Sequence, residues 1–372
     1  MNFENSRSFA KMMDQNDPLK SYREKFYYPK NGNNKNVIYF CGNSLGLQPK
    51  SVRKYVEKEL YVWEKDGVIG QHGRWEHFHE RVMDNTARLV GAEPSEVVVM
   101  NALTVNIHLL LVSFYQPNQN RNKVIIEKGT FPSDQYAIES QIKFHGFDPK
   151  YSLIELSPRK SEKTLRTQDV LDAISEFKDE LSTIILGGVN YYTGQAFDMK
   201  SITEAGHQVG AYVGFDLAHA AGNLKMSLHD WNVDFAAWCS YKYLCAGAGA
   251  PSGIFIHKIH HDWSGPRFAG WWGHNKNTRF EMGSDFDPIQ TAEGWQISNA
   301  PIMGMVPLLA AMEIFDEAGM DAIRFKSEKL TGLLEFLIAV NLPEVSIITP
   351  ENPFERGCQL SLLAPGGKKT FE

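Results

Sequence analysis

Short apolar runs alternate with helix-like segments between residues 97 and 257, and this alternation constrains the fold more than any other feature. The runs with the length and composition of β-strands are VVVM (97–100), KVIIE (123–127), YSLIEL (151–156), TIILGGV (183–189), AYVGFD (211–216), FAAWCS (235–240) and SGIFIH (252–257). The intervening segments carry apolar residues at three- and four-residue spacing. Strands that are apolar throughout and separated by helices predict an α/β fold, a mostly parallel sheet covered by helices on both faces. Such sheets bind ligands at the carboxyl ends of their strands.

The sequence pattern divides the chain into three regions. Residues 1–45 are polar and rich in Asn, and we expect them to form an arm that contributes to a small domain. Residues 46–300 contain the strand and helix alternation and are expected to form a large ligand-binding domain. Residues 301–372 begin with two long amphipathic patterns and are expected to start a smaller α+β domain that is truncated at its carboxyl end.

Charge and cysteine content narrow the classes of partner. The 38 Lys and Arg residues against 44 Asp and Glu give a net charge of −6, which disfavours nucleic acid and anionic membranes and favours a small-molecule partner. The sequence lacks a long apolar span and a signal-peptide pattern, so we expect a cytoplasmic protein. The four cysteines show no metal-binding spacing, so we expect reduced thiols and no metal.

Two charged residues occupy unusual positions, where apolar strands give way to loops. Asp216 ends the strand pattern of YVGFDLAHAAG, and Lys242 follows that of FAAWCSYKYLCAGAG. A lysine desolvated at the mouth of a sheet is a Schiff-base candidate. An Asp on a neighbouring strand can keep a pyridinium nitrogen protonated. From residue types alone, a surface lysine and a turn-capping Asp are equally consistent with this pattern.

These segments resemble the class-V group of fold-type-I enzymes that use pyridoxal 5'-phosphate (PLP). Five further segments are similar, in the same order, to the motifs of the kynureninase family: FCGNSLGLQP (40–49), MNALTVNIHLL (100–110), GTFPSDQYAIESQ (129–141), GGVNYYTGQ (187–195) and FAGWWGH (268–274). The resemblance runs through nearly the whole chain. It implies a fold-type-I large domain and PLP as the cofactor.

The resemblance also implies roles for individual residues. Lys242 would link covalently to PLP and act in catalysis with Tyr241, and Asp216 would pair with the pyridine nitrogen. The other expected cofactor contacts are Leu103, Thr104, Phe131, Pro132, Ser133, Asp134 and His219. A helix N-terminus at Thr104 suits a phosphate, and an aromatic ring at Phe131 suits stacking. Taken singly, these residues also fit helix caps, turns and core positions.

The remaining matched residues point to a second subunit and to the substrate. Trp271 and Asn299 match positions that reach the cofactor from the neighbouring subunit, which implies a homodimer with composite sites. His274 and Asn299 resemble the substrate pocket associated with 3-hydroxykynurenine, where polar side chains can bind the ring hydroxyl.

The implied activity is hydrolysis of the Cβ–Cγ bond of L-kynurenine or 3-hydroxykynurenine, which yields anthranilate or 3-hydroxyanthranilate and L-alanine. This reaction belongs to tryptophan catabolism and NAD biosynthesis. The family's arginine in an RVAP-like segment, which binds the substrate carboxylate, is not in this sequence.

Two alternatives stay open, and a third is weaker. One is another class-V activity such as cysteine desulfurase with Cys358 as nucleophile, although the GCQLS pattern favours a small buried residue there. The other is a PLP-binding protein without catalysis, which the missing arginine would favour. A dinucleotide-binding protein is disfavoured because GAGAPSG follows a lysine and does not open a βαβ unit.

Overall fold

A computed structural model describes residues 2–371, and a seven-stranded sheet lies at its centre. Its strands are β1 (Val97–Met100), β2 (Lys123–Glu127), β3 (Leu153–Leu156), β4 (Leu181–Gly187), β5 (Tyr212–Asp216), β6 (Phe235–Trp238) and β7 (Ser252–Ile256). They lie in the order β1-β7-β6-β5-β4-β2-β3. Only β7 in this sheet runs antiparallel to its neighbours, β1 and β6. The predicted mostly parallel α/β sheet is confirmed.

Helices precede, separate and follow the strands. Their bounds are α1 (Arg7–Gln15), α2 (Val52–Asp66), α3 (Met83–Val90), α4 (Leu103–Phe114), α5 (Pro132–Phe144), α6 (Pro149–Ser152), α7 (Thr167–Glu176), α8 (Met199–Gln208), α9 (Ile302–Ala318), α10 (Met320–Asn341) and α11 (Lys368–Phe371). A second, antiparallel sheet consists of β8 (Ser346–Ile347) and β9 (Leu362–Leu363). Within residues 2–371, no helix combines the length and apolarity required to cross a membrane.

The two faces of the large sheet bury separate apolar cores. Along β1, Val97 and Val99 pack into one core, whereas Val98 and Met100 pack into the other. Successive side chains of a strand point to opposite faces, so a strand covered on both sides must be apolar throughout. This requirement explains why the strands were visible in the sequence as continuous apolar runs.

Helix α9 packs with the large sheet, although the sequence pattern places it beyond residue 300. Its side chains Met305, Val306, Leu309 and Met312 belong to the same core as the strands. Helix α10 and the β8–β9 sheet follow it along the chain. The division into an arm, a large domain and a truncated small domain stays a prediction.

The carboxyl ends of the parallel strands meet at one edge of the sheet. Strand β2 ends there with Glu127, β4 with Gly187 and β5 with Asp216. Helices α4 and α5 begin shortly after β1 and β2, so their N-termini face the same edge. The topology therefore brings acidic side chains and helix N-termini together.

Candidate active site

A cavity of about 190 Å³ opens at this edge of the sheet. It is lined by Ala102, Leu103, Thr104, Glu127, Thr130, Phe131, Ser133, Asp134, Gly187, Val189, Tyr191, Asp216, Ala218, His219, Tyr241 and Lys242. Most residues singled out in the sequence are in this set, and they come from segments more than 100 residues apart. Pro132 is the first residue of α5, between the lining residues Phe131 and Ser133.

Lys242 reaches into the cavity from the loop after β6. Its Nζ lies 3.0 Å from Nε2 of His219 and 5.7 Å from the centre of the Phe131 ring. Burial and the neighbouring Lys242 charge lower the pKa of His219 to about 3, so the imidazole is neutral. When the Lys242 amine donates this hydrogen bond, Nε2 of His219 accepts it and the ring proton sits on Nδ1. That Nδ1 is buried and has no hydrogen-bond partner among residues 2–371.

Two buried carboxyl groups face each other across the cavity floor. Asp216 ends β5, and Asp134 lies in the first turn of α5. Burial raises the pKa of both groups, and the nearby Asp216 charge raises the pKa of Asp134 further. Asp134 therefore holds a proton and donates it to Asp216, whose Oδ1 also accepts from the N–H of Ala218 at 2.7 Å. With the shared proton on Asp134, the carboxylate of Asp216 stays available to accept a hydrogen bond from a cationic group.

Glu127 is a third buried acid at the cavity, and the sequence reasoning missed it. It is 4% exposed, and its Oε2 accepts from Nδ2 of Asn190 at 2.9 Å. Burial raises the pKa of Glu127 to about 7. The signal that identified Asp216, an acidic residue ending an apolar strand, is equally present in KVIIE.

Two hydroxyl groups meet where α4 and α5 begin. The Oγ1 of Thr104 and the Oγ of Ser133 lie 2.6 Å apart, although 29 residues separate them along the chain. The first turns of both helices also present backbone N–H groups that have no partner within the helix. Hydroxyls beside two helix N-termini are suited to binding a phosphate group.

A glycine from the N-terminal FCGNSLGLQP motif supports the lysine loop. The N–H of Gly46 donates to the carbonyl of Tyr241 at 2.9 Å. A Cβ at this position would lie 2.4 Å from the carbonyl oxygen of Lys242. Only glycine permits this close approach of the two backbones.

Three predicted residues lie outside this cavity. Trp271 is 47% exposed, and Asn299 is also exposed on the surface. The ring nitrogens of His274 lie 3.0 Å from Oγ1 of Thr278 and 3.1 Å from the N–H of Asp287. Their predicted action in a neighbouring subunit stays a prediction.

Cys358 is exposed as a residue, so the expectation of a small buried residue is wrong, although local burial of its thiol raises the pKa of that group to about 11. The GCQLS pattern suggested a buried strand, but the paired strand β9 begins only at Leu362 and is itself exposed. The thiol does not line the cavity. Its backbone N–H donates to Oδ1 of Asn223 at 2.8 Å.

The cavity fits a flat aromatic ligand that carries a phosphate, a carbonyl group and a basic ring nitrogen. The two hydroxyls suit the phosphate, the Lys242 amine the carbonyl, and the Asp216 carboxylate a protonated ring nitrogen. The orphaned Nδ1 of His219 is a buried donor that such a ligand can satisfy. These are the groups of PLP, so the residues present fit that cofactor.

Comparison with known proteins gives a consistent result. The chain matches the aminotransferase class-V family over residues 38–362. It is 54% identical to the kynureninase of Myxococcus xanthus over 97% of this chain and 86% of that protein. It is 52% identical to the kynureninase of Christiangramia forsetii over 100% of this chain and 89% of that protein. With the kynureninase of the animal Nematostella vectensis the identity is 44%, over 96% and 83% of the two chains.

Solved structures share the fold at low sequence identity. A mutant of C-DES with glycine covalently linked to its PLP cofactor superposes with a TM-score of 0.75 at 15% identity, covering 94% of this chain and 88% of that one. An apo cysteine desulfurase from Thermococcus onnurineus gives a TM-score of 0.70 at 17% identity, covering 98% and 84%. At this identity the likeness shows the fold of a fold-type-I PLP enzyme.

Proposed function

Because this chain belongs to the kynureninase family of aminotransferase class-V proteins, we propose that it cleaves the Cβ–Cγ bond of L-kynurenine or 3-hydroxykynurenine by hydrolysis. The products are anthranilate or 3-hydroxyanthranilate and L-alanine. The enzyme is a PLP-dependent hydrolase of carbon–carbon bonds. The observation that carries the proposal is the convergence of Lys242, Asp216 and His219 on one cavity in a chain about half identical to kynureninases.

Bound PLP supplies an electron sink for the bond cleavage, and the protein controls where protons reside. Asp216 would hold the proton on the ring nitrogen of bound PLP, because its carboxylate lines the cavity and is oriented by Asp134 and the N–H of Ala218. Asp134 donates to Asp216 and fixes its orientation. Removal of either carboxyl group would leave the other buried without its partner.

Lys242 is the proposed base that removes the proton from the substrate Cα. His219 accepts a hydrogen bond from its Nζ and holds the amine in the cavity. Since His219 is neutral, it does not add a second positive charge beside the lysine. The pair therefore orients the base without competing for the substrate proton.

Tyr241 is the proposed donor to the oxygen that gains charge when water adds to the γ-carbonyl. Burial raises the pKa of Tyr241 to about 12, so its hydroxyl keeps its proton at neutral pH. A hydroxyl in a desolvated cavity stabilises a developing oxyanion without having to reorganise. Thr104 and Ser133 would bind the phosphate, and the Phe131 ring would stack on the cofactor.

We further propose a homodimer in which Trp271, His274 and Asn299 complete the partner's site. Support comes from their position outside the cavity of their own chain, where Trp271 and Asn299 are exposed and His274 is half-buried. His274 and Asn299 then contact the substrate ring, where they favour the 3-hydroxy form. The cytoplasmic location and the role in NAD biosynthesis also stay proposals.

An assay of the purified protein tests the proposed function. With kynurenine and 3-hydroxykynurenine as separate substrates, we expect release of anthranilate or 3-hydroxyanthranilate with one equivalent of alanine. With cysteine as substrate we expect no sulfide, because the Cys358 thiol does not line the cavity. Sulfide release without anthranilate would favour the desulfurase alternative and overturn the proposal. Bound PLP with neither product would favour a non-catalytic protein.

A further inference from the structure

We propose that Arg279 is a positioning residue that shapes the surface loop carrying Trp271 and His274, so that this loop can complete the active site of a second subunit. The loop comprises residues 270–281, and we call it the Trp271 loop. The inference rests on the proposed function, because that function assigns Trp271 and His274 to the active site of the second subunit.

Arg279 closes the Trp271 loop from within. Its Nη2 donates to the carbonyl of Trp272 at 2.6 Å and to the carbonyl of His274 at 3.2 Å. Its guanidinium lies 4.3 Å from the centre of the Trp272 ring. In return, Nε1 of Trp271 donates to the Arg279 carbonyl at 3.0 Å. One cation therefore holds the backbone between Trp271 and His274, at the carbonyls of Trp272 and His274.

In the described part of the chain, Arg279 is a buried cation without a direct ion pair, which is unusual for a residue that only stabilises the fold. Arg279 is 4% exposed, and its Nε has no hydrogen-bond partner among residues 2–371. Burial lowers the pKa of Arg279, and the nearby carboxylates of Glu293, Glu76 and Glu80 favour its charge without pairing with it directly. A buried charge without a directly paired counter-ion costs free energy, and an apolar side chain of similar volume would fill the space at lower cost. Unlike an apolar side chain, the guanidinium offers a planar set of donors that can bind several carbonyl groups at once.

Lys276, in the middle of the loop, anchors the loop to the rest of the chain separately. Lys276 donates to Oε1 of Glu80 at 2.7 Å and to Oε1 of Glu293 at 2.9 Å. Glu293 also pairs with Nε2 of the fully buried His79 at 2.6 Å. Glu80 and Glu293 favour the Arg279 charge, but no hydrogen bond of this network includes Arg279. Loss of the guanidinium should therefore disturb the loop without unfolding the domain.

The loop also presents its functional groups in a defined state. The N–H of Asp287 donates to Nδ1 of His274, so the ring proton lies on Nε2 and is donated to Thr278. The rings of Trp271 and Phe280 pack edge to face at 5.6 Å and are about half exposed. Two neighbouring exposed aromatic rings form an apolar surface suited to contact with a second copy of the chain.

The first test compares Arg279→Met, the conservative Arg279→Lys and a matched control, Arg267→Met. Arg267 also stacks on a tryptophan, Trp295 at 4.1 Å, and donates to the carbonyls of Gly294 and Trp263, but it lies outside the loop. PLP affinity is measured by titrating the cofactor-free protein, beside kcat, KM and the thermal midpoint. We expect Arg279→Met to weaken PLP binding and raise KM by about tenfold or more, with partial recovery in Arg279→Lys.

The control separates this role from general stabilisation. Arg267→Met should lower the thermal midpoint and leave PLP affinity and KM near their wild-type values. The proposal is overturned if Arg279→Met binds PLP and substrate as the wild type does, or if Arg267→Met produces the same losses. If Arg279→Met fails to fold, the PLP affinity and KM of Arg279→Lys are compared with those of the wild type and of Arg267→Met instead.

The second test mixes Arg279→Met subunits with Lys242→Ala subunits. In a composite site, a hybrid dimer has one site with an intact lysine and an intact loop from the other subunit. At PLP and substrate concentrations that leave Arg279→Met nearly inactive, equal mixing should give about a quarter of the wild-type activity, since half of the dimers are hybrids and each has one intact site. Absence of recovery would contradict the role in the second subunit. An inactive wild type would instead refute the proposed function. The PLP titrations would still test whether Arg279 affects cofactor binding.

Discussion

The Nζ atom of Lys242 lies 3.0 Å from Nε2 of His219, and Nδ1 of the same ring is buried without a hydrogen-bond partner in the described part of the chain. Because burial and the lysine charge lower the pKa of His219 to about 3, the imidazole should stay neutral throughout the working pH range. We expect His219→Phe, which removes the acceptor, to lower kcat by about tenfold or more while PLP remains bound. Replacement of His145, at the far end of α5, should leave kcat unchanged. An NMR titration of His219 with a midpoint between pH 5 and 8 would contradict this account.

Gly46 provides a test of the lysine loop. In Gly46→Ala the new Cβ would lie 2.4 Å from the Lys242 carbonyl oxygen and 2.6 Å from Cα of Cys245, so the backbone of the lysine loop must move. Displacement of a catalytic group by about 1 Å can cost on the order of 100-fold in rate. We therefore expect a large loss of kcat in steady-state assays. Gly42→Ala, in the same motif with open space around it, is the matched control and should retain activity. Equal activity of the two variants would refute the packing argument.

Glu127 should make stability depend on pH. Burial raises its pKa to about 7, so the folded protein binds a proton that the unfolded chain releases above its ordinary value of 4.5. Stability from this group is therefore fully present below about pH 4.5 and falls as pH rises through 7, by about 3 kcal/mol in total. Denaturant unfolding at pH 5 and pH 8 should show a smaller loss in Glu127→Gln than in the wild type. The exposed Glu155, on the adjacent strand β3, is the control position. An identical pH dependence in wild type and Glu127→Gln would exclude this assignment.

Cys358 decides between the two class-V activities. Its thiol does not line the cavity, so Cys358→Ala should leave the rate of anthranilate release within about twofold of the wild type. The rate is followed by anthranilate fluorescence. Loss of turnover in this variant, with PLP still bound, would show that the thiol takes part in the reaction.

The strands and two of the site residues could be predicted because their signals are local. A strand buried on both faces must be apolar throughout, and a charged residue at its end, such as Asp216, stands out against that background. Lys242 was visible for the same reason. Glu127 carried the same signal and was overlooked, so its omission was not a limit of the sequence.

Other features depend on packing that no local pattern specifies. The contact between Thr104 and Ser133 arises only when α4 and α5 begin at the same edge of the sheet. The apolar pattern of α9 predicts that one face is buried, but it does not say that this face packs on the large sheet. Arg279 donates hydrogen bonds to backbone carbonyl groups, which every residue possesses and which therefore give no sequence signal.

The most direct test of the central claim is anthranilate release from kynurenine by the wild type and by Lys242→Ala. Lys225→Ala, which removes an exposed lysine paired with Asp321, serves as the control. We predict that the wild type and the control release anthranilate and alanine in equal amounts. We predict that Lys242→Ala releases neither and lacks the absorbance band of lysine-linked PLP. Turnover by Lys242→Ala at a rate comparable to the wild type would contradict the account.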